Sequence, residues 1–407
     1  MTTLSRRVLL GGIAAAPLAT PGIIRAQTTS KPVKLGLLSD MSGPYRDVGG
    51  PGNRAAVELA VQDFGGSVLG RPIEIVQGDD QNKPDVAAGL ARQWIDDNGV
   101  DVLMDGAASS SGLAVQQIAK EKKHIYLITG PASSDFTGKQ CSPYGVHFCY
   151  DTYALAHGTG SALTKAGGST WYFVTADYAF GYALERDTIA AVEQAGGKVL
   201  GKERAPLGTA DFSSFLVQAK ASGAKVFGFA NAGTDLQNCI KQAAEFGISQ
   251  SGVRMATLLM AINDVHSLGL PVCQGLVYTD SFYWDMTPKT RTWAKRWAAK
   301  MNGMMPGLLH AGNYCAANHW LKSVKAAGTT NADTVVAKMK ATPVNDFYNT
   351  NVKIREDGRV MHVMHLWQVK SPAESKYPFD YCKPLATIPQ SEAWRPLADG
   401  GCPFVKA

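Results

Sequence analysis

Apolar residues along this chain recur in two rhythms. Short β-branched and apolar runs predict strands at Val33–Leu38, Ile73–Gln77, Val102–Met104 and Ile125–Ile128. Further runs predict strands at Trp171–Thr175, Val226–Ala230, Met255–Leu259 and Gly275–Thr279. Between them the spacing becomes that of a helix face. In Asn53–Phe64, Val57, Ala60, Val61 and Phe64 fall at i, i+3, i+4 and i+7, and Gly65-Gly66 supplies the stop. Similar patterns predict helices from about Asp85 to Asp97, Tyr153 to Ala166, Phe180 to Ala195, Phe212 to Ser222 and Thr234 to Phe246. This alternation predicts an α/β fold with parallel sheets covered by helices on both faces.

The rhythm breaks twice. Cys141-Ser142-Pro143-Tyr144-Gly145 opens a turn-rich stretch that reads as a crossing between lobes. Near Ser281–Pro288 the strand pattern gives way to helices over Thr290–Lys300, His310–Ala327 and Thr334–Ala341. A late strand at Val363–Val369 precedes a tail rich in proline and aromatics, and no internal repeat is visible. A chain of 407 residues exceeds what one core usually fills, so two lobes are expected.

The N-terminus changes the picture by locating the protein. Ser5-Arg6-Arg7 is followed by an uncharged small and apolar run, Val8 to Ala19, then Pro21-Gly22 and a small residue, Ala26. A basic segment, a short apolar segment and a small residue at the cut describe an export signal over residues 1–26. The paired arginines resemble its twin-arginine variant. The run falls short of the ~20 apolar residues that span a bilayer. The chain carries 40 basic and 34 acidic residues, and losing Arg6, Arg7 and Arg25 leaves 37 against 34. That balance, without a basic aromatic-interleaved cluster, argues against a nucleic-acid partner. A soluble periplasmic protein is expected.

Seven cysteines fit an oxidising compartment, but an odd number cannot all pair within one chain. Cys141 with Cys149, Cys382 with Cys402, and Cys239 with Cys273 are the pairings considered, with Cys315 read as a buried hydrophobe. No Cys/His cluster has metal spacing, so neither a metal nor another cofactor is expected. The acid pairs Asp79-Asp80 and Asp96-Asp97 read as a solvated loop and a helix end.

Candidate chemistry lies in the loops beyond the carboxyl ends of the strands, where open parallel sheets bind ligands. Three such loops are Ser39–Gly50, Gly106–Gly112 and Thr129–Thr137. Small hydroxyl residues at a helix start make either an anion site, suited to a carboxylate, or an ordinary serine cap.

Strand, Ser42-Gly43-Pro44, then a glycine-bearing loop into Ala55–Ala60 resembles the opening of type I periplasmic substrate-binding proteins of ABC importers. The subgroup it resembles most is the leucine/isoleucine/valine-binding-protein family. Gly106–Ser111, Pro131-Ala132-Ser133 and Asp177-Tyr178-Ala179-Phe180-Gly181 follow in that family's order, and the likeness runs from about residue 31 to 370. The resemblance implies two Rossmann-like lobes joined by a three-strand hinge, with lobe 1 at 31–150 and 282–358 and lobe 2 at 151–281 and 359–407. It implies a monomer that closes on a small-molecule carboxylate and presents the closed form to a membrane permease. Ser109, Ser110, Pro131, Ala132 and Ser133 become carboxylate and polar contacts, and Phe180 an aromatic wall. Val48 stands where relatives place an aromatic, so Tyr45 or Arg46 takes that role. Asn231 and Gly233 match a contact loop. Tyr150 and Tyr178 fall near the cleft. Amino-acid binders carry an acid for the ligand ammonium where this chain reads Met260-Ala261-Ile262-Asn263, with Asp264 offset. An amine-free, flat or aromatic acid is therefore expected, with a branched-chain or other amino acid as the alternative.

Two rival functions remain. The same module can serve a signalling receptor instead of a transporter. Ala108–Gly112 also fits a loose nucleophile elbow with Ser110 as a hydrolase nucleophile. Against that, Asp105-Gly106-Ala107 separate strand from elbow, and no histidine has a convincing place beside it.

Overall fold

The computed structural model describes residues 31–405 apart from residue 249. The export segment, with Arg6, Arg7 and Ala26, lies outside the described residues. The first sheet holds six strands in the order β2-β3-β1-β4-β5-β6. They are β1 (Val33–Ser39), β2 (Ser67–Val68), β3 (Arg71–Asp79), β4 (Val102–Asp105), β5 (Ile125–Ile128) and β6 (Gly145–His147). All its pairings are parallel except the short β2–β3 hairpin. Helices α1 (Gly50–Phe64), α2 (Pro84–Asp96) and α3 (Ser109–Glu121) connect these strands.

The chain then passes to a second sheet. A helical run follows as α4 (Thr152–Leu155), a π-helical turn at Ala156–Gly160 and α5 (Ser161–Lys165). The strands β7 (Thr170–Ala176), β8 (Lys198–Ala205), β9 (Val226–Ala230), β10 (Arg254–Thr257) and β11 (Val277–Asp280) are mutually parallel. Between them lie α6 (Ala179–Gln194), α7 (Ser213–Ala221), α8 (Gly233–Glu245), α9 (Ile262–Leu268) and α10 (Leu270–Cys273). The chain next returns as α11 (Pro288–Ala298), α12 (Leu308–Ala327) and α13 (Ala332–Ala341), with α12 packed along α1. It crosses once more, where His147 and Arg359 form an isolated parallel bridge. It ends in β12 (Met364–Val369), β13 (Cys382–Ile388) and the turn α14 (Gln390–Ala393). β12 and β13 pair antiparallel, so the second sheet is mixed, in the order β13-β12-β11-β10-β9-β7-β8.

Strands β1, β4, β5, β7 and β9 are buried almost throughout, which is why they read as continuous apolar runs. Trp171, Phe173, Phe227 and Phe229 fill the space between the second sheet and its helices. Two expectations need correction. Asp80 is wholly buried rather than solvated, because the ends of β1, β3 and β4 close over it. None of the three considered cysteine pairings forms. Cys141 is bridged to Cys402, and the other five cysteines are free and buried.

Candidate functional site

The carboxyl ends of strands from both sheets face one cavity. The loop after β1 contributes Tyr45 and Val48, the loop after β4 Ala107 and Ser109, and the loop after β5 Gly130 and Ala132. Tyr150 enters from the first crossing. Facing them are Tyr178 and Phe180 after β7, Ala232 and Gly233 after β9, and Leu259, Ala261 and Asp264 after β10. Leu308 and Leu309, at the head of α12, complete the wall.

Buried acids hold the first-sheet loops in shape. The Asp40 carboxylate accepts the N–H groups of Ser42, Gly43 and Tyr45 at 3.2, 2.5 and 2.8 Å, and the Asn82 amide at 2.7 Å. Asp105 adopts φ +67° and Gly106 φ +86°, a left-handed turn that carries the chain from β4 toward α3. Its carboxylate accepts from Asn53 Nδ2 at 2.6 Å and from the Ser39 and Thr129 hydroxyls at 3.2 Å. Burial pushes its pKa up to about 6 despite these donors. Ser109, the first residue of α3, accepts the N–H groups of Ala132 and Ser133 at 3.2 and 3.1 Å, tying two loops together. Both acceptor directions of that hydroxyl are spent inward, and its proton remains for the cavity.

Five helices start at this cavity: α3, α6, α8, α9 and α12. No side chain caps α3, α6 or α8, whereas Asp264 accepts the Ala261 N–H at the head of α9 and His310 Nδ1 accepts the Gly307 N–H at the head of α12. The first-turn N–H groups of these helices have no intrahelical acceptor, and their dipoles point positive ends inward. Among the described residues, no wall position is lysine or arginine. The one acid in the wall is Asp264, which accepts from the Ala261 N–H and from Gln237 Nε2, both at 2.8 Å. Burial with only neutral partners pushes its pKa up to about 6.

The two sides touch directly. Gly233 has φ +60°, and a Cβ there would sit 2.3 Å from the Pro44 carbonyl oxygen. Thr234 N–H donates to that same oxygen at 3.2 Å. The Tyr45 and Tyr178 hydroxyls meet at 2.5 Å. Tyr150 donates to the Gly130 carbonyl at 2.6 Å.

The family model described as periplasmic binding protein matches residues 32–376. The chain belongs to the periplasmic binding protein family. A solved periplasmic binding protein from Burkholderia mallei is 50% identical over 92% of this chain and all of that one, with a TM-score of 0.90. A branched chain amino acid ABC transporter periplasmic ligand-binding protein from Burkholderia xenovorans is 38% identical over 91% of this chain and 99% of that one, with a TM-score of 0.81. The Leu/Ile/Val-binding protein homolog 6 of Brucella melitensis is 27% identical over 60% of this chain, and the match spans 62% of that relative's length.

In this periplasmic binding protein, Tyr45, Ser109, Ala132, Tyr150, Tyr178, Phe180 and Gly233 of the sequence-derived candidates meet in the cavity wall. Six others point elsewhere. Arg46 is exposed, pairs with Asp47 at 2.8 Å and borders a separate open groove with Trp297 and Lys300. Ser110 is half-buried on α3, outside the wall. The Ser133 hydroxyl accepts Asp135 N–H at 3.2 Å. The Pro131 carbonyl bonds His147 Nε2, Asn231 donates to Cys239 Sγ, and Met260 is wholly buried. Tyr283 is packing: its hydroxyl donates to the Phe379 carbonyl. Ala107 and Gly130 lie in loops the sequence singled out, whereas Leu259, Leu308 and Leu309 lie outside them and were missed. Pro306-Gly307 before a helix was the available signal for the last two. The described residues hold no cluster able to bind a metal, and no imidazole bonds Ser110.

Proposed function

We propose that this protein is the periplasmic solute-binding component of an ABC importer, working as a monomer that closes on a small organic carboxylate. The observation that carries the anionic ligand is the convergence of the N-termini of α3 and α6, neither with a side-chain cap, on a cavity without a basic side chain. Free N–H groups with the dipole behind them receive a carboxylate without a buried counter-cation. The Ser109 hydroxyl, with its proton unspent, adds a donor at the α3 end. The rings of Tyr45, Tyr150, Tyr178 and Phe180 offer stacking surface to a flat ligand, which favours an aromatic acid. Lobe 1 is assigned to 31–150 with 282–358, and lobe 2 to 151–281 with 359–407. Residues 1–26 are assigned to twin-arginine export.

One observation favours a second reading. Asp264 lies in the wall with only neutral partners, so a ligand ammonium has an acid to meet, and the Burkholderia xenovorans relative carries an amino-acid name. Calorimetry with benzoate, an aliphatic acid and leucine separates the two. Micromolar benzoate binding with no leucine heat supports the aromatic acid, and the reverse overturns it in favour of the amino acid.

A further inference from the structure

Resting on the reading of this cavity as the ligand cleft, we propose that Tyr45 and Tyr178 form a two-part donor, assembled only on closure, that selects ligands with a hydrogen-bond acceptor facing it. Tyr45 hangs from the loop after β1, held there by Asp40 through its own N–H. Tyr178 is the N-cap residue of α6, beyond β7 of the other sheet. Their hydroxyl oxygens are 2.5 Å apart, and both residues are in the cavity wall.

The hydrogen count gives the selectivity. Two phenols bring two protons, and the bond between them uses one. Among the described residues neither hydroxyl has a further acceptor, so one O–H is left over in a largely apolar cavity. Burial raises both phenols, and the Asp235 carboxylate raises them further, so the pair stays fully protonated. It can donate to a ligand oxygen but cannot neutralise a cation. A ligand without an acceptor there leaves a buried donor unpaired, which costs free energy. Because the partners come from opposite sheets, opening the cleft separates them and returns both hydroxyls to water. Acceptor recognition and closure are therefore one event.

Tyr45→Phe, Tyr178→Phe and the double variant keep the rings and remove hydroxyls. Each is titrated with benzoate and with leucine, and nitroxide pairs on Glu121→Cys and Val217→Cys report the distance between the two sides. For whichever probe binds wild type, each single variant is expected to bind about tenfold more weakly, with the double variant no worse than the weaker single. The variants' distance distributions without probe are expected to be broader than the wild type's. Single variants that bind within twofold of wild type overturn the proposal. If neither probe binds wild type, the ligand reading fails on its own, and the distances decide the latch: distributions unchanged by the Phe substitutions overturn it.

Discussion

Arg359 concentrates the most physics in one side chain. Its guanidinium is wholly buried, donates to the Tyr150 carbonyl at 2.9 Å and the Val360 carbonyl at 3.2 Å, and lies 3.6 Å from Asp151. It also stacks 4.3 Å over Trp394. Burial drags its pKa down to about 10, which leaves it charged at neutral pH. Removing one member of a buried pair strands the other, so Arg359→Met is expected to cost about 3–5 kcal/mol in urea unfolding. A loss under about 1 kcal/mol would mean that Asp151 is adequately solvated without it. Asp80 gives a pH prediction. Burial, opposed by the Asn82 N–H and reinforced by Asp105, Asp40 and Asp79, lifts its pKa from 3.8 to about 7. The folded state then holds a proton that the unfolded chain releases near pH 4. This contribution to stability is complete below pH 4 and disappears as pH rises through 7. Asp80→Asn should raise the melting temperature at pH 8, barely change it at pH 4, and flatten the profile between. An Asn variant with the wild-type slope would assign that slope to other groups. At this scale the sequence is only partly legible. A serine-rich helix start marks the right loop, but which of Ser109, Ser110 and Ser111 faces the cavity depends on helix phase. Asp80 looks like a loop acid until β1, β3 and β4 are brought together around it.

Elements are more legible than residues because their patterns average over many positions. The buried central strands are readable as apolar runs, whereas β8 is not. It is an edge strand carrying Gly201, Lys202, Glu203 and Arg204, with alternating exposure, so its composition is that of a loop. β6 is hidden for another reason: its three residues sit inside the turn-rich crossing. Where helices abut strands at the cavity, glycine sets the distance. A Cβ on Gly181 would lie 1.9 Å from the Ala176 carbonyl oxygen, so α6 rests directly on the end of β7. Gly181→Ala must push α6 outward, carrying Tyr178 and Phe180 with it. Overpacking of this kind typically costs about 1–3 kcal/mol. Thermal unfolding is expected to show that loss together with weakened ligand binding. Wild-type melting and affinity in this variant would mean that the backbone at Ala176 yields freely.

On the scale of the whole molecule, the chain closes on itself through its tail. Two lobes follow from length and rhythm and the third crossing from the family resemblance, but cysteine spacing cannot encode connectivity, and the Cys141–Cys402 bridge joins positions 261 residues apart. It fastens a tail that leaves β13 in the second sheet and returns to the loops of the first. Along the way Arg395 donates to the Ser134 carbonyl at 2.9 Å, and Arg355 donates to the Arg395 carbonyl at 2.7 Å. Trp394 Nε1 donates to the His362 carbonyl at 2.8 Å. A second set of contacts lies nearby, where Ser134 and Thr152 donate to Asp187 at 2.7 and 2.6 Å and Arg186 pairs with Asp135 at 3.1 Å. The tail is therefore a further connection between the sheets, covalent at its far end. A cross-link over so long a loop restricts the unfolded chain strongly, and loss of a native disulfide typically costs about 2–5 kcal/mol. Reductant should lower the melting temperature of the wild type and leave a Cys141→Ser, Cys402→Ser double variant unmoved, with that variant already melting at the reduced wild type's temperature. The comparison isolates this bridge, because the five remaining cysteines are buried thiols whose oxidation plays no part in either arm. Equal melting of oxidised and reduced wild type would mean that the hydrogen bonds of Arg395 and Trp394 hold the tail without the bridge.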